Sequence, residues 1–137
     1  MSRYLDRAKE LRAVTEIHYN CAQSVLVPFA EDFGLSEEKA YALASAFGAG
    51  MKMGGVCGAI TGGLMVMGLL GIDTDEARRE YYGALKAAHG GVMDCAGLLK
   101  ACAAQGISKK VHCDGMVYEC LTLVEDLYRK YGPRQQA

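Results

Sequence analysis

The sequence predicts an all-α fold, in which residues 1–137 form one compact domain, a bundle of about five to seven helices. Three observations support this prediction. Apolar residues recur at the spacing of an amphipathic helix, no segment alternates β-branched and polar residues as a strand does, and glycines rather than long linkers separate the apolar segments. Because the connections are short, we expect consecutive helices to pack as nearly antiparallel neighbours.

The first three predicted helices occupy the N-terminal third of the chain. Residues 4–19 form an amphipathic segment, and residues 20–33 form a second helix that Gly34 ends. The third begins after Ser36, whose hydroxyl is a good N-cap, and ends near residue 48. These three helices provide one side of the predicted bundle.

The remaining predicted helices are separated by glycines and capping residues. We expect helices at residues 55–70, from Asp73 or Thr74 to residue 88, from Asp94 to residue 106, and at residues 113–131. Residues 132–137 contain glycine, proline and two glutamines, and are predicted to form a frayed tail of this domain.

Composition and charge exclude several classes of protein. Hydrophobic residues make up 51% of the chain and charged residues 23%, which is a globular and not a disordered composition. The net charge of -1 gives no basic face for nucleic acid. The N-terminal segment is charged throughout and contains no apolar core of a secretory signal, so we expect a cytoplasmic protein.

One uncharged segment has the length of a membrane span. Residues 53–72 contain no charged side chain, but seven of them are glycine. Glycine adds little hydrophobicity and costs a helix about 1 kcal/mol relative to alanine. We therefore predict a buried helix rather than a membrane span in this segment.

Six cysteines are the chemically distinctive residues of the chain. They make up about 4% of it, below the content of a disulfide-stapled scaffold. In a reducing compartment such cysteines are more often catalytic, redox-sensing or metal-binding than structural. No CxxC pair occurs, which argues against a thioredoxin-type motif or a zinc ribbon.

Four cysteines are predicted to lie at helix N-termini. Cys21 follows Asn20 with Gln23 in the position of a capping box, and Cys95 follows Asp94. The other two are Cys57, after a glycine pair, and Cys113, after His112. Unpaired N–H groups and the helix dipole favour a thiolate at such positions, so we expect lowered thiol pKa values.

The other two cysteines are expected to be core residues. Cys102 and Cys120 each lie seven residues after one of the four, two turns along the same helix face. The histidines of the chain are either ordinary polar residues or partners that increase thiolate character or complete a metal site; they are His18, His89 and His112.

Several stretches match the motifs of a known family. The residues Tyr19-Asn20-Cys21-Ala22-Gln23-Ser24-Val25 match its first motif, and Cys57-Gly58-Ala59-Ile60-Thr61-Gly62 fits its CGAxxG signature, also written GCAxxG. Cys95, followed by Leu98 and Leu99, and Cys113 match two later single cysteines. By these motifs the chain resembles the C-GCAxxG-C-C family of redox-active proteins, and the resemblance extends over residues 9–128. The resemblance implies that Cys21, Cys57, Cys95 and Cys113 are the functional set.

The residues that flank Cys57 are expected to serve it. Gly58 and Gly62 lie one turn apart and leave the flank of Cys57 without side chains, so a cofactor, a partner thiol or another helix can approach closely. Thr61 lies one turn beyond Cys57 and is placed to donate a hydrogen bond to its sulfur. Close helix packing without a cofactor is the alternative interpretation of these glycines.

Three hypotheses for function remain open at this point. The four cysteines exchange thiols and disulfides with an unidentified redox partner or small-molecule substrate. Alternatively, they bind an iron–sulfur cluster or another thiolate-bound metal and transfer electrons. As a third alternative, all six are core residues of a helical interaction module without chemistry. The glycine-rich helix would also suit a close contact in a homodimer.

Overall fold

The computed structural model describes residues 2–132 and confirms the all-α prediction. No strand occurs in this range, and an isolated bridge between Val56 and Asp94 is the nearest to one. Of the tail predicted to fray, residues 133–137 lie outside the described residues. The helices are α1 Arg3–Ala13, α2 Cys21–Ala30, α3 Glu37–Leu43, α4 Gly58–Leu70, α5 Asp75–Ala88, α6 Cys95–Ala104 and α7 Lys109–Tyr131.

Helix α2 occupies the centre of the bundle. It has no charged residue, and eight of its ten residues are buried. A helix that is apolar on all sides needs neighbours on all sides, and α2 packs against α1, α3, α4 and α7. The first residue of α2 is Cys21, so the centre of the fold fixes the position of this thiol.

Helix α4 is the glycine-rich segment that the sequence predicts to be buried. None of the helices within residues 2–132 is both long enough and apolar enough to cross a membrane. In α4, Gly63 leaves room for the hydroxyl of Tyr81, which donates to the Ile60 carbonyl at 2.8 Å. A Cβ on Gly63 would lie 2.0 Å from the Tyr81 hydroxyl oxygen. Here the missing side chain makes room for a buried hydrogen bond that joins α5 to α4.

Helix α1 is shorter than its amphipathic pattern predicts. It ends at Ala13, and Val14 has extended dihedral angles, so the predicted continuation to residue 19 is wrong. Val14, Thr15 and Ile17 are β-branched and lose rotamer freedom in a helix, and Ile17 is 50% exposed, so burial does not offset that loss. His18 consequently lies in a loop and not one turn before Cys21 on a common helix face.

Two other helix boundaries differ from the prediction by four residues or more. Helix α3 ends at Leu43 rather than near residue 48, because the Asn20 side chain hydrogen-bonds the carbonyls that follow it. Helix α7 begins at Lys109, where the Ser108 hydroxyl accepts from the Val111 N–H, and not at Cys113. Cys113 therefore lies in the second turn of α7 and not at its N-terminus.

Candidate functional site

Four of the six cysteines line one pocket of about 140 Å³, here called the cysteine pocket. They are the four that the sequence singles out: Cys21, Cys57, Cys95 and Cys113. All six cysteines are free thiols. Because Cys57 caps α4 and the other three belong to α2, α6 and α7, the pocket depends on how these helices are packed. Cys102 and Cys120 do not line it.

The predicted capping box positions Cys21. The Asn20 side chain accepts from the Gln23 N–H at 2.7 Å, and the Gln23 side chain accepts from the Asn20 N–H at 2.8 Å. These two bonds satisfy N–H groups that the first turn of a helix leaves unpaired. The capping-box prediction is thus confirmed, with Cys21 at the first helical position.

Asn20 also ties the start of α2 to the end of α3. Its Nδ2 atom donates to the carbonyls of Ala44 at 3.3 Å and Ser45 at 3.2 Å. The Asn20 side chain is nearly buried. A Cβ on Gly48 would lie 2.6 Å from the Cβ of Asn20. Asn20 therefore helps to form the wall of the cysteine pocket to which Gly48 and Ala49 contribute.

Replacing Asn20 with aspartate should destabilise the protein by about 1–3 kcal/mol, because a carboxylate keeps the helix cap but cannot donate to the two carbonyls. Urea unfolding of Asn20→Asp measures this loss. The matched control is Ser36→Asp, which changes the cap of α3 at an exposed position and should change stability by less than about 0.5 kcal/mol. Equal stability of Asn20→Asp and the unmodified chain would show that the amide donor has no structural role.

Two glycines of α4 bring Cys57 close to Cys21. A Cβ on Gly58 would lie 2.7 Å from the Phe47 carbonyl, and one on Gly62 would lie 2.9 Å from the carbonyl of Ala22. Neighbouring backbone therefore fills the space that a side chain at either glycine would occupy. This agrees with the alternative interpretation, in which the glycines serve close helix packing. Gly58 also lines the cysteine pocket, whereas Gly62 does not. The two glycines set the separation of α2 and α4, and with it the position of Cys57 at the pocket wall.

A short backbone pairing holds Cys57 beside Cys95. The Cys57 N–H donates to the Met93 carbonyl at 3.0 Å, and the Cys95 N–H donates to the Gly55 carbonyl at 2.6 Å. Cys57 is the N-cap of α4, and Cys95 is the first residue of α6. The pairing therefore joins the N-termini of two helices at the pocket, a contact that no strand pattern in the sequence indicates.

Arg12 supplies a positive charge beside Cys113. Its Nε atom lies 2.7 Å from a carboxylate oxygen of Asp114, and its Nη1 atom donates to the Tyr19 carbonyl at 2.9 Å. The Arg12 side chain is only 11% exposed. An ion pair with so little solvent exposure holds the guanidinium in a fixed position at the pocket wall.

Cys113 is the most acidic thiol of the pocket. A hydrogen bond from Cys21 and the charges of Arg12 and Lys109 together lower the pKa of Cys113 to about 6, against the opposing effect of burial. The same interaction with Cys113, together with burial, raises the pKa of Cys21. At neutral pH the pair therefore holds a Cys113 thiolate that accepts a hydrogen bond from the Cys21 thiol.

The pKa values of Cys57 and Cys95 change in the direction opposite to the prediction from their helix positions. Burial raises the pKa of Cys57 even though the N–H groups of Ala59 and Ile60 lower it. Burial and the nearby Cys113 raise the pKa of Cys95, although Lys109 opposes them. Proximity to a helix N-terminus is a local effect, whereas loss of solvent depends on the packing of the whole bundle.

The predicted hydrogen bond from Thr61 to the sulfur of Cys57 is wrong, and His112 contacts a cysteine other than its neighbour Cys113. The Thr61 hydroxyl donates to the carbonyl of Cys57 at 3.4 Å, one turn back along α4, and not to its sulfur. His112 lines the cysteine pocket, but its Nδ1 atom lies 3.0 Å from the sulfur of Cys102. Cys102 is therefore half-buried and hydrogen-bonded rather than a core residue, whereas Cys120 is fully buried as predicted.

The remaining histidine pair lies outside the cysteine pocket. His89 contacts the carboxylate of Glu119 through Nε2, at 2.9 Å and 3.1 Å. Within residues 2–132, no three His, Cys, Asp or Glu side chains are arranged to hold a metal ion. The four thiols thus share a pocket without forming a metal-ligand set.

A left-handed backbone turn forms part of the pocket wall. Ala49, Gly50, Met51 and Lys52 have φ values of 52°, 61°, 59° and 61°. Ala49 and Lys52 line the cysteine pocket, while Met51 is 43% exposed. Non-glycine residues adopt this conformation at a cost of about 1–2 kcal/mol each. Only glycine-rich composition near residue 50 indicates the turn in the sequence.

One of three comparisons with known proteins identifies a family for this chain. Searches among curated proteins and among solved structures found no match. A family model described as "Putative redox-active protein (C_GCAxxG_C_C)" matches residues 19–128. The signature in its name reads Gly-Cys-Ala, and this chain has Cys57-Gly58-Ala59. Because that match covers most of the sequence and all four pocket cysteines, the chain belongs to the C_GCAxxG_C_C family.

Proposed function

We propose that this protein is a thiol–disulfide redox protein in which Cys113 attacks and Cys21 resolves. The observation that supports this assignment is that Cys21 and Cys113 line the same pocket, where Cys21, Arg12 and Lys109 together lower the pKa of Cys113 to about 6. A thiolate is the nucleophile in disulfide exchange. A neighbouring thiol that donates to that thiolate is also positioned to become its disulfide partner.

The reaction needs a disulfide as its co-substrate. The Cys113 thiolate attacks one sulfur of R–S–S–R′, forms the Cys113–S–S–R bond and expels R′–S⁻. The Cys21 thiol transfers its proton to that leaving group, attacks the Cys113 sulfur and releases R–S⁻. Two protein thiols are oxidised to one disulfide, and the substrate disulfide is reduced to two thiols.

Cys57 and Cys95 form the second thiol pair of the proposed function. They line the same pocket, and the backbone pairing between residues 55–57 and 93–95 holds them side by side. Their raised pKa values suit thiols that react after Cys113 rather than before it. A reducing cytoplasm and a redox partner that regenerates the thiols complete this function.

Exposure of the reduced protein to hydroxyethyl disulfide tests the assignment. Peptide mass spectrometry after acid quenching should show a mixed disulfide on Cys113 first, and then a Cys21–Cys113 disulfide. In the Cys21→Ser variant the mixed disulfide on Cys113 should accumulate, because no resolving thiol follows.

Cys102→Ser is the matched control, since Cys102 is half-buried but does not line the cysteine pocket. It should form the Cys21–Cys113 disulfide at the rate of the unmodified chain. A first mixed disulfide on another cysteine, or no reaction at Cys113, would contradict the proposed function. Bound iron or zinc in anaerobically purified protein, together with unreactive pocket thiols, would instead favour the metal alternative.

A further inference from the structure

A second, larger pocket adjoins the cysteine pocket at Cys113. It has a volume of about 580 Å³ and shares Arg12, His18, Lys109 and Cys113 with the cysteine pocket. We call it the basic pocket. Its other lining residues are Leu11, Ala13, Val14, Thr15, Tyr19 and Lys110. The volume is in the range of small-molecule sites, which lie between about 300 and 1,000 Å³.

The polar groups of the basic pocket carry a positive charge. Arg12, Lys109 and Lys110 line it, and no Asp or Glu does. Asp114 neutralises part of this charge, since it pairs with Arg12 at 2.7 Å and with Lys110 at 3.1 Å. Lys109 forms no ion pair with any residue of the described range 2–132. Three cations and one carboxylate leave the pocket with a surplus of positive charge beside the nucleophile.

The rest of the basic pocket is apolar and comes from the loop that ends α1. Val14 is 37% exposed and lines the pocket together with the half-buried Tyr19. Pockets that combine apolar walls with a few convergent charged groups suit small molecules with an apolar body and a charged end. The early end of α1 therefore has a consequence for the site, because a continuous helix to residue 19 would not form this loop.

We infer that the basic pocket binds a small disulfide that carries a carboxylate, with one sulfur at Cys113, the carboxylate at Lys109 and Lys110, and the carbon chain on Val14 and Tyr19. This inference rests on the proposed function and specifies its substrate class. Cys113 attacks the bound disulfide as described above, and the carboxylate keeps its charge throughout. Pairing between ammonium and carboxylate groups supplies orientation and not an additional chemical step.

Three disulfides of similar length and different charge test the inference. They are dithiodipropionate, which is anionic, hydroxyethyl disulfide, which is neutral, and cystamine, which is cationic. We expect Cys113 to react about tenfold faster with the anionic than with the neutral disulfide at low salt, and more slowly still with the cationic one. High salt should reduce this selectivity.

The selectivity ratio also distinguishes binding from thiol acidity. Lys109→Gln should lower the anionic-to-neutral rate ratio about two- to fivefold, as expected for the loss of one exposed ion pair. Lys109 also lowers the pKa of Cys113, but a pKa change affects both disulfides alike and cancels in the ratio. Lys86→Gln is the control, because Lys86 is exposed and lines neither pocket.

The outcomes separate the inference from the proposed function. Reaction of Cys113 with all three disulfides at equal rates would overturn the inference and leave the proposed function intact. An unchanged ratio in Lys109→Gln would likewise overturn the assignment of Lys109. Absence of reaction with every disulfide would contradict the proposed function itself.

Discussion

Replacing Cys21 with alanine should move the midpoint of Cys113 alkylation from about pH 6 upward, toward the ordinary cysteine pKa of 9.0. Alanine cannot donate a hydrogen bond to the Cys113 sulfur, and this bond is the largest of the effects that lower the pKa. Arg12 and Lys109 remain in the variant and continue to stabilise the thiolate. The midpoint should therefore stop short of the ordinary value.

The difference in Cys113 alkylation rate between Cys21→Ala and the unmodified chain depends on the pH of the measurement. If the pKa of Cys113 rises to about 8, its thiolate fraction at about pH 7 falls roughly tenfold, but its nucleophilicity rises nearly as much, because the Brønsted coefficient is about 0.4–0.5. At about pH 5 the thiolate fraction differs roughly ninetyfold, and the variant should react about tenfold more slowly. Iodoacetamide rates from pH 4 to pH 10, followed by peptide mass spectrometry, resolve Cys113 from the other five thiols.

Serine at position 21 supplies the matched control. Its hydroxyl keeps a hydrogen-bond donor of similar size, so the midpoint of Cys21→Ser should lie between those of the unmodified chain and Cys21→Ala. Cys102→Ala should leave the midpoint unchanged, because Cys102 contacts His112 and not Cys113. A midpoint that does not move in Cys21→Ala would show that the two thiols do not interact, and the assignment of Cys21 as resolving thiol would lose its support.

The position of Cys21 could be predicted from the sequence because it depends on neighbours in the chain. Asn20 and Gln23 form the capping box that their spacing predicts. The start of α7 also depends on a neighbour in the chain, because Ser108 is an ordinary N-cap residue. The sequence analysis nevertheless predicts that start at Cys113, which is wrong. The grouping of the four cysteines follows from their predicted helix N-termini and, independently, from the family motifs, but it is not visible in their separations along the chain.

The acidity of the thiols could not be predicted in the same way. Three of the four predicted helix N-termini are correct, yet burial or a neighbouring thiol raises the pKa at each of these cysteines. Cys113 lies away from the helix end and has the lowered pKa, because Cys21 and Arg12 reach it from α2 and α1. Both effects come from residues far apart in sequence, and a local pattern contains no information on them.

Replacing Gly62 with alanine should destabilise the protein by about 1–3 kcal/mol, whereas the same change at Gly68 should stabilise it by about 1 kcal/mol. A Cβ at Gly62 would lie 2.9 Å from the Ala22 carbonyl oxygen and 3.1 Å from the Ala22 Cα, so the backbone of α2 must move. Gly68 is in the same helix, is exposed and has no neighbouring atom within 4 Å of that position. Urea unfolding of the two variants measures the contrast.

The same pair of variants connects the glycine motif to the chemistry. Since Cys21 directly precedes Ala22, displacement of α2 from α4 by Gly62→Ala also displaces Cys21 from Cys113. We therefore expect the alkylation midpoint of Cys113 to rise in folded Gly62→Ala and to stay at about pH 6 in Gly68→Ala. A stability loss with an unchanged midpoint would limit Gly62 to packing, whereas a change in both would show that the close approach of α2 and α4 sets the reactivity of the thiol pair.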